Sequence, residues 1–187
     1  MDLKQEKERI AVYIDGSNFY HLLRSPKIDL NNTLKFDFKS FVLWLVKERK
    51  IEEMNYYVAV VRYTPENPKS QSMVSNQQRL FSNLEKQGFK IARGHMMKHK
   101  DHYKEKGVDV KIAVDILSGA FEDVYDTIIL ISSDTDLIPA IRKARQLGKR
   151  VEYVGSSYQP SFGLIKEVDE TRLLTQDDLK KFELKLS

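Results

Sequence analysis

The stretch RIAVYIDGSNFY, residues 9–20, sets a short apolar run directly before a group of polar residues. Residues 10–14 are apolar and rich in β-branched types, which is typical of a strand buried on both faces. The run stops at Asp15, and a Gly-Ser-Asn sequence follows. One interpretation is that these polar side chains cap a helix that begins after the strand, because Asp, Ser and Asn bind free backbone groups. The other is that the strand ends on a carboxylate that serves a functional site.

Four further apolar runs follow along the chain, and amphipathic segments separate them. The runs are NYYVAVVRY, FKIAR, TIILIS and RVEYVG, at residues 55–63, 89–93, 127–132 and 150–155. The helical patterns cover residues 38–50, 69–87, 108–120 and 134–147, with a last short helix in TQDDLKKFELKL. Apolar strands that alternate with amphipathic helices indicate a mainly parallel sheet covered on both faces. The predicted fold is therefore an α/β three-layer sandwich of the Rossmann-like kind.

Composition limits the class of protein. The chain has 187 residues, 41% of them hydrophobic and 31% charged, as in a soluble globular protein. No linker divides it, so we expect an N-terminal extension over residues 1–8 and one domain over residues 9–187, C-terminal helix included. No apolar run approaches the roughly 20 residues of a membrane helix. The absence of cysteine excludes thiolate metal sites and disulfides and fits a cytoplasmic protein.

Four aspartates fall where such a sheet would bring them together. Open parallel sheets bind ligands beyond the carboxyl ends of their strands, near the point where the strand order reverses. Asp15 follows the first strand, and Asp134 and Asp136 follow the run at residues 127–132, which commonly neighbours the first strand in such sheets. Asp109 lies in the first turn of the helix that leads into that run. We therefore predict that all four meet at one edge.

Carboxylates that lie this close repel one another unless a cation lies between them. A ligand set of oxygens without cysteine suits Mg²⁺ or Mn²⁺, which also contact phosphate oxygens. Such ions activate water and stabilise the leaving oxygen in phosphodiester hydrolysis. In the alternative interpretation, Asp109 and Asp134 each cap their own helix and Asp136 only favours the helix dipole.

Three motifs carry a family resemblance. YIDGSNFY, KGVDVKIAVDI and ILISSDTDLIPAIRKARQLGKRVEYVG, in this order, resemble the NYN domain of the LabA-like group, a relative of the PIN-domain nucleases. The resemblance covers residues 9–169 and implies a PIN-like fold and a metal-dependent ribonuclease. The residues that match the family motifs are Asp15, Asn18, Asp109, Asp134 and Asp136, while Ser133 stands where many relatives have Gly.

Other aspartate chemistries fit these residues less well. A phosphatase of the haloacid dehalogenase type needs a nucleophilic Asp where the chain has Tyr13. A Toprim-like site needs Glu at the position of Asp15, and a receiver domain needs a phosphoacceptor where Arg93 and Gly94 stand. The chain also lacks the glycine-rich phosphate loops GxxxxGK and GxGxxG.

A basic segment leads into Asp109. Residues 86–106 contain seven lysines and arginines against two acidic residues, in a chain whose net charge is +4. This segment is either a solvated face or a track for a phosphate backbone. The candidate substrate-binding residues are Arg93, Lys98, Lys100, Lys104 and Lys106.

Together, these patterns predict a divalent-metal-dependent ribonuclease that uses Mg²⁺ or Mn²⁺, with RNA favoured over DNA as the partner and no membrane partner. The predicted ligands are Asp15, Asp109 and Asp134, with Asp136 completing the set and Asn18 orienting a phosphate or a water. The alternative is a catalytically weak RNA-binding or regulatory module that retains the metal site.

Overall fold

The computed structural model describes residues 6–30, 33–61, 63, 69–99 and 102–184. Its strands are β1 (Arg9–Asp15), β2 (Lys50–Ala59), β3 (Lys90–His99), β4 (His102–Lys106), β5 (Thr127–Ile131), β6 (Arg150–Ser156) and β7 (Glu170–Leu174). Its α-helices are α1 (Gly16–Leu23), α2 (Phe38–Val46), α3 (Ser70–Lys86), α4 (Val108–Phe121), α5 (Ile138–Gln146), α6 (Phe162–Ile165) and α7 (Gln176–Lys180). Short 3₁₀ helices cover Thr33–Lys35 and Thr135–Leu137.

The strands form one sheet in the order β4-β3-β2-β1-β5-β6-β7. Every neighbouring pair is parallel except β3 and β4, which are antiparallel. The chain builds outward from β1 in one direction through β2 and β3, and then returns to the other side of β1 with β5. The strand order therefore reverses between β1 and β5, which confirms the predicted mainly parallel α/β fold.

Helices cover both faces of the sheet, and alternation along β1 shows why. Ile10, Val12 and Ile14 pack into a core shared with α1, α2 and α7. Ala11 and Tyr13 point to the other face and pack with α4 and α5. Side chains alternate between the faces of a strand, so a strand buried on both sides must be apolar at every position, as residues 10–14 are. None of the helices in the described residues is both long and apolar enough to cross a bilayer.

The structure corrects the sequence prediction in several elements. The helix predicted over residues 38–50 ends at Val46, and β2 covers Lys50–Ala59 where the sequence predicts a strand over residues 55–63. The third strand does not end at residue 93 but continues to His99 and pairs with β4. The sequence does not indicate this continuation, because residues 94–99 lack a regular apolar pattern. The edge strand β7 was not predicted, since most of its residues are solvent-exposed or only half-buried. The helix predicted over residues 134–147 begins with a 3₁₀ turn, and α5 follows with Pro139 in its first turn, where a missing N–H is tolerated.

Candidate active site

The end of β1 places a buried carboxylate at the point where the strand order reverses. Asp15 is 1% exposed and caps α1, because its Oδ1 accepts a hydrogen bond from the backbone N–H of Asn18 at 3.1 Å. Its Oδ2 accepts one from Asn18 Nδ2 at 2.5 Å and another from Ser132 Oγ at 3.1 Å. Donors from two separate segments thus fix this carboxylate in one orientation.

The close packing of α1 against β2 explains why a glycine, Gly16, follows Asp15. A Cβ atom at this position would lie 2.5 Å from the ring of Tyr56 and 2.7 Å from the carbonyl oxygen of Tyr57, both on β2. Only a residue without a side chain lets α1 begin this close to the neighbouring strand. The Asp-Gly sequence therefore sets the position of α1 as well as that of the carboxylate.

The loop after β5 brings two more aspartates to the same edge. The Oγ of Ser132, which donates to Asp15, also accepts a hydrogen bond from the backbone N–H of Asp134 at 3.1 Å. Oδ1 of Asp134 in turn accepts from the backbone N–H of Asp136 at 2.9 Å. Ser132 therefore ties the loop after β5 to the end of β1.

Asn18, in α1, contacts both the end of β1 and the loop after β5. Its Nδ2 donates to Asp15, and its Oδ1 accepts a hydrogen bond from the hydroxyl of Ser133. The side-chain amide is thus held from both ends, which leaves one N–H of Nδ2 to donate elsewhere.

Asp109 joins the same edge from α4. It lies in the first turn of that helix, whose N-cap position is Gly107. Partial burial of its carboxyl group raises the pKa of Asp109, and the nearby charges of Asp134, Asp15 and Asp136 raise it further. The structure therefore brings all four aspartates close enough to interact, and we call Asp15, Asp109, Asp134 and Asp136 the aspartate cluster.

The capping interpretation holds for two of the four aspartates. Asp15 caps α1, and Asp134 caps the 3₁₀ helix Thr135–Leu137. Asp109 does not cap α4, since no side chain caps that helix. Capping and membership of the cluster therefore coexist.

The cluster suits a hard divalent cation in the chemistry of its donors. Within the described ranges, no group of three or more His, Cys, Asp or Glu side chains is arranged so that it could hold a metal ion by itself. Mg²⁺ keeps several of its waters and is commonly bound directly by one or two carboxylates, so the other aspartates would contact it through those waters. The repulsion that raises the pKa of Asp109 is the kind of electrostatic cost that a bound cation relieves.

The basic segment forms a hairpin beside the cluster. We call β3 and β4 together the basic hairpin, and β4 ends immediately before Gly107 and α4. Arg93 is exposed on β3, with its guanidinium 5.5 Å from the ring centre of Phe81 on α3. The backbone register pairs Lys98 with Tyr103, Lys104 with Met97 and Lys106 with His95. The side chains of these three lysines, and all of Lys100, lie outside the described residues.

The sequence prediction missed the structural role of two serines. Ser132 links Asp15 to Asp134, and Ser133 holds the amide of Asn18. Their signal in the sequence is a pair of hydroxyl residues between a fully buried strand and an aspartate, in ILISSD.

The chain belongs to the NYN domain family, whose model matches residues 9–174. This is a PIN-like nuclease family, and its members generally use divalent metals. The sheet, the strand reversal and the aspartate-bearing loops described above all lie within the matched residues.

Two proteins show how far the similarity extends. A stretch of 55 residues is 44% identical to an uncharacterized protein of Methanocaldococcus jannaschii, and it covers 29% of this chain and 22% of that protein. The match therefore spans about a fifth of the relative's length. A crystal structure of a protein of unknown function from Vibrio parahaemolyticus has a similar fold, with a TM-score of 0.71 and 22% identity over 94% of this chain and 98% of that one.

Proposed function

We propose that this chain is a divalent-metal-dependent ribonuclease of the LabA-like group of NYN domains. The main support is the aspartate cluster, in which three separate segments bring carboxylates to the reversal between β1 and β5. Hydrogen bonds through Ser132 Oγ link the carboxylate of Asp15 to the backbone N–H of Asp134, which holds the two segments together. A ready-made acidic edge of this kind is costly to the fold, so a role in cation binding explains it better than helix capping alone.

Each residue has a role in this proposal. Asp15, Asp109 and Asp134 hold a Mg²⁺ or Mn²⁺ ion, and Asp136 supports the set. When bound, the ion lowers the pKa of water and stabilises the charge that develops on the leaving oxygen. Asn18 keeps one N–H available beside the cluster and uses it to orient a phosphate oxygen.

The basic hairpin would guide the polyanion to the cluster. In this proposal Arg93, Lys98, Lys100, Lys104 and Lys106 contact successive phosphates. The hairpin runs directly into the helix that carries Asp109, so a backbone that follows it reaches the acidic edge. Arg93 lies over Phe81 yet remains exposed, which leaves its guanidinium accessible to a phosphate.

A second candidate is a catalytically weak RNA-binding or regulatory module. The observation that favours it is that Asp15 and Asp134 also cap helices. Both carboxylates therefore have a structural role that does not require catalysis.

Cleavage of single-stranded RNA by purified protein in Mn²⁺ or Mg²⁺ separates the two candidates. Asp134→Asn keeps the shape of the cap but removes a charge, and it should lower the cleavage rate on the order of a hundredfold or more. Asp177→Asn is the matched control, because Asp177 is an exposed aspartate in the first turn of α7. Equal cleavage by all three proteins would assign the activity to a contaminant, and RNA binding without cleavage would support the regulatory module.

A further inference from the structure

A cavity of about 480 Å³ opens beside the aspartate cluster, between α1 and the loop after β6. Its walls come from α1 and the residues after it, the ends of β5 and β6, and residues 156–161. Asn18, Ser132 and Ser133 belong both to this lining and to the hydrogen-bond network around Asp15. The volume is within the range of small-ligand sites and suits one nucleotide.

The lining differs in charge from the neighbouring cluster. No carboxylate is among the lining residues that the structure describes, and the cationic side chain there is that of Lys27. Hydroxyl groups come from Ser25, Ser132, Ser133, Ser156 and Ser161, and side-chain amides from Asn18 and Gln159. This combination favours a polar ring and an attached anion, because it supplies donors and acceptors for a ring edge and one positive charge.

An aromatic side chain stands at the rim of this cavity. Tyr158 is 50% exposed, and its backbone N–H donates to Ser156 Oγ at 3.1 Å. The N–H of Ser157 donates to the carbonyl oxygen of Leu174 at 3.0 Å, which ties the same loop to β7. An exposed aromatic ring on a restrained loop is the kind of surface on which nucleobases stack.

The buried Tyr153 fixes the far end of the loop. Its hydroxyl accepts a hydrogen bond from the backbone N–H of Ser161 at 3.1 Å. Gly155 makes this possible, because a Cβ atom there would come within 1.9 Å of the Tyr153 hydroxyl oxygen. The wall of the cavity is therefore formed before any ligand arrives.

We propose that this cavity receives one unstacked nucleotide of a single-stranded nucleic acid, next to the phosphate that the aspartate cluster would act on. The ring of Tyr158 stacks on the base, Gln159 and the serines bind the polar edges, and Lys27 contacts a phosphate. A base that is paired and stacked in a duplex cannot enter, so the cavity selects single strands. This inference rests on the proposed function for the class of its ligand.

Binding of a short single-stranded RNA and of a duplex of the same length, measured by fluorescence anisotropy in Mg²⁺, tests this site. The Asp134→Asn protein serves as background so that cleavage does not interfere. Adding Tyr158→Ala should weaken binding of the single strand about tenfold and leave duplex binding unchanged. Tyr158→Phe should retain the affinity, because the ring stays. Phe121→Ala is the matched control, since Phe121 is a 64% exposed aromatic residue at the far end of α4.

The inference would be overturned if Tyr158→Ala left the affinity for the single strand unchanged. It would also be overturned if the variant weakened binding of the duplex by the same factor. Gln159→Ala provides a second variant on the same wall, with a several-fold loss expected on the single strand alone. The two proposals fail separately. Cleavage by the wild-type chain together with an unaffected Tyr158→Ala would leave the nuclease without this subsite. A selective loss of binding without cleavage by the wild-type chain would establish the subsite and reject the nuclease.

Discussion

Ser132 donates a hydrogen bond of 3.1 Å to Oδ2 of the buried Asp15, across the reversal between β5 and β1. The same hydroxyl oxygen accepts the backbone N–H of Asp134. A single side chain therefore joins the carboxylate of Asp15 to the backbone of Asp134, which is far away in the sequence. We therefore expect this uncharged serine to matter for the geometry of the site.

Ser132→Ala should impair both stability and activity. The variant leaves a buried carboxylate oxygen without one of its donors, so we expect the free energy of unfolding to fall by about 1–3 kcal/mol. Cleavage should fall about tenfold or more, because Asp15 and the backbone of Asp134 lose the hydroxyl group that joins them. Urea unfolding and an RNA cleavage assay measure the two effects. Ser72→Ala on the exposed face of α3 is the control, and a Ser132→Ala protein with the parent's activity would contradict the expected positioning role.

Divalent metal should stabilise the fold through the aspartate cluster. Because a ligand that binds only the folded state stabilises it by mass action, the melting temperature should rise with the concentration of Mn²⁺ or Mg²⁺. A phosphate-free buffer without chelators is required. A melting temperature that stays constant up to millimolar metal would argue against a shared cation site.

Asp109→Asn should have opposite effects with and without metal. Without metal, the variant should be at least as stable as the parent, since it removes a partly buried charge that Asp134 and Asp15 repel. With metal, it should show a smaller rise in melting temperature than the parent. Asp177→Asn should behave like the parent in both conditions, and a full metal response in Asp109→Asn would remove Asp109 from the ligand set.

The basic hairpin should account for part of the salt dependence of RNA binding. Replacing Lys98, Lys100, Lys104 and Lys106 together by Gln should weaken binding and flatten the slope of log K against log salt, because fewer counterions are released. The rise in melting temperature with metal should persist. The matched control replaces four exposed lysines elsewhere, namely Lys39, Lys143, Lys166 and Lys180. If both quadruple variants show the parent's salt slope, the hairpin is an ordinary solvated face.

Arg9 should make stability depend on pH at the opposite end of the sheet. Its guanidinium donates to Asp126 and lowers the pKa of that carboxyl below the ordinary value of 3.8. Lys149 and then Arg9 lower the pKa of Asp123 in the same way. A carboxyl whose pKa is depressed by folding adds stability above its unfolded pKa, and this contribution is lost as the pH falls through the folded value.

Arg9→Gln should therefore be less stable than the parent at pH 7, and the difference should shrink as the pH falls below about 4. Urea unfolding at pH 7 and pH 3 gives the two differences. A gap between parent and variant that is the same at both values would show that Arg9 acts through packing and not through these carboxyls.

The sequence predicts the features that neighbouring residues determine better than those that depend on residues far apart in the chain. The buried β1 and its terminal Asp15 follow from a local apolar run, and the meeting of Asp15 with Asp134 follows from the general topology of parallel sheets. The second half of β3 lacks a local pattern, because a polar hairpin strand gains its hydrogen bonds from its partner and not from a core. The Ser132–Asp15 bond joins residues 117 positions apart, so no local pattern could indicate it.

The close approach of Gly16 to β2 also affects how mutational data on this chain should be read. Any side chain at residue 16 must push α1 away from Tyr56 and Tyr57, and α1 carries Asn18, which binds Asp15. A random screen for loss of activity should therefore recover Gly16 as often as the aspartates, although glycine offers no group to a substrate. Metal-dependent stabilisation would separate the two groups, because a displaced helix leaves the charges of the cluster in place while an aspartate substitution removes one.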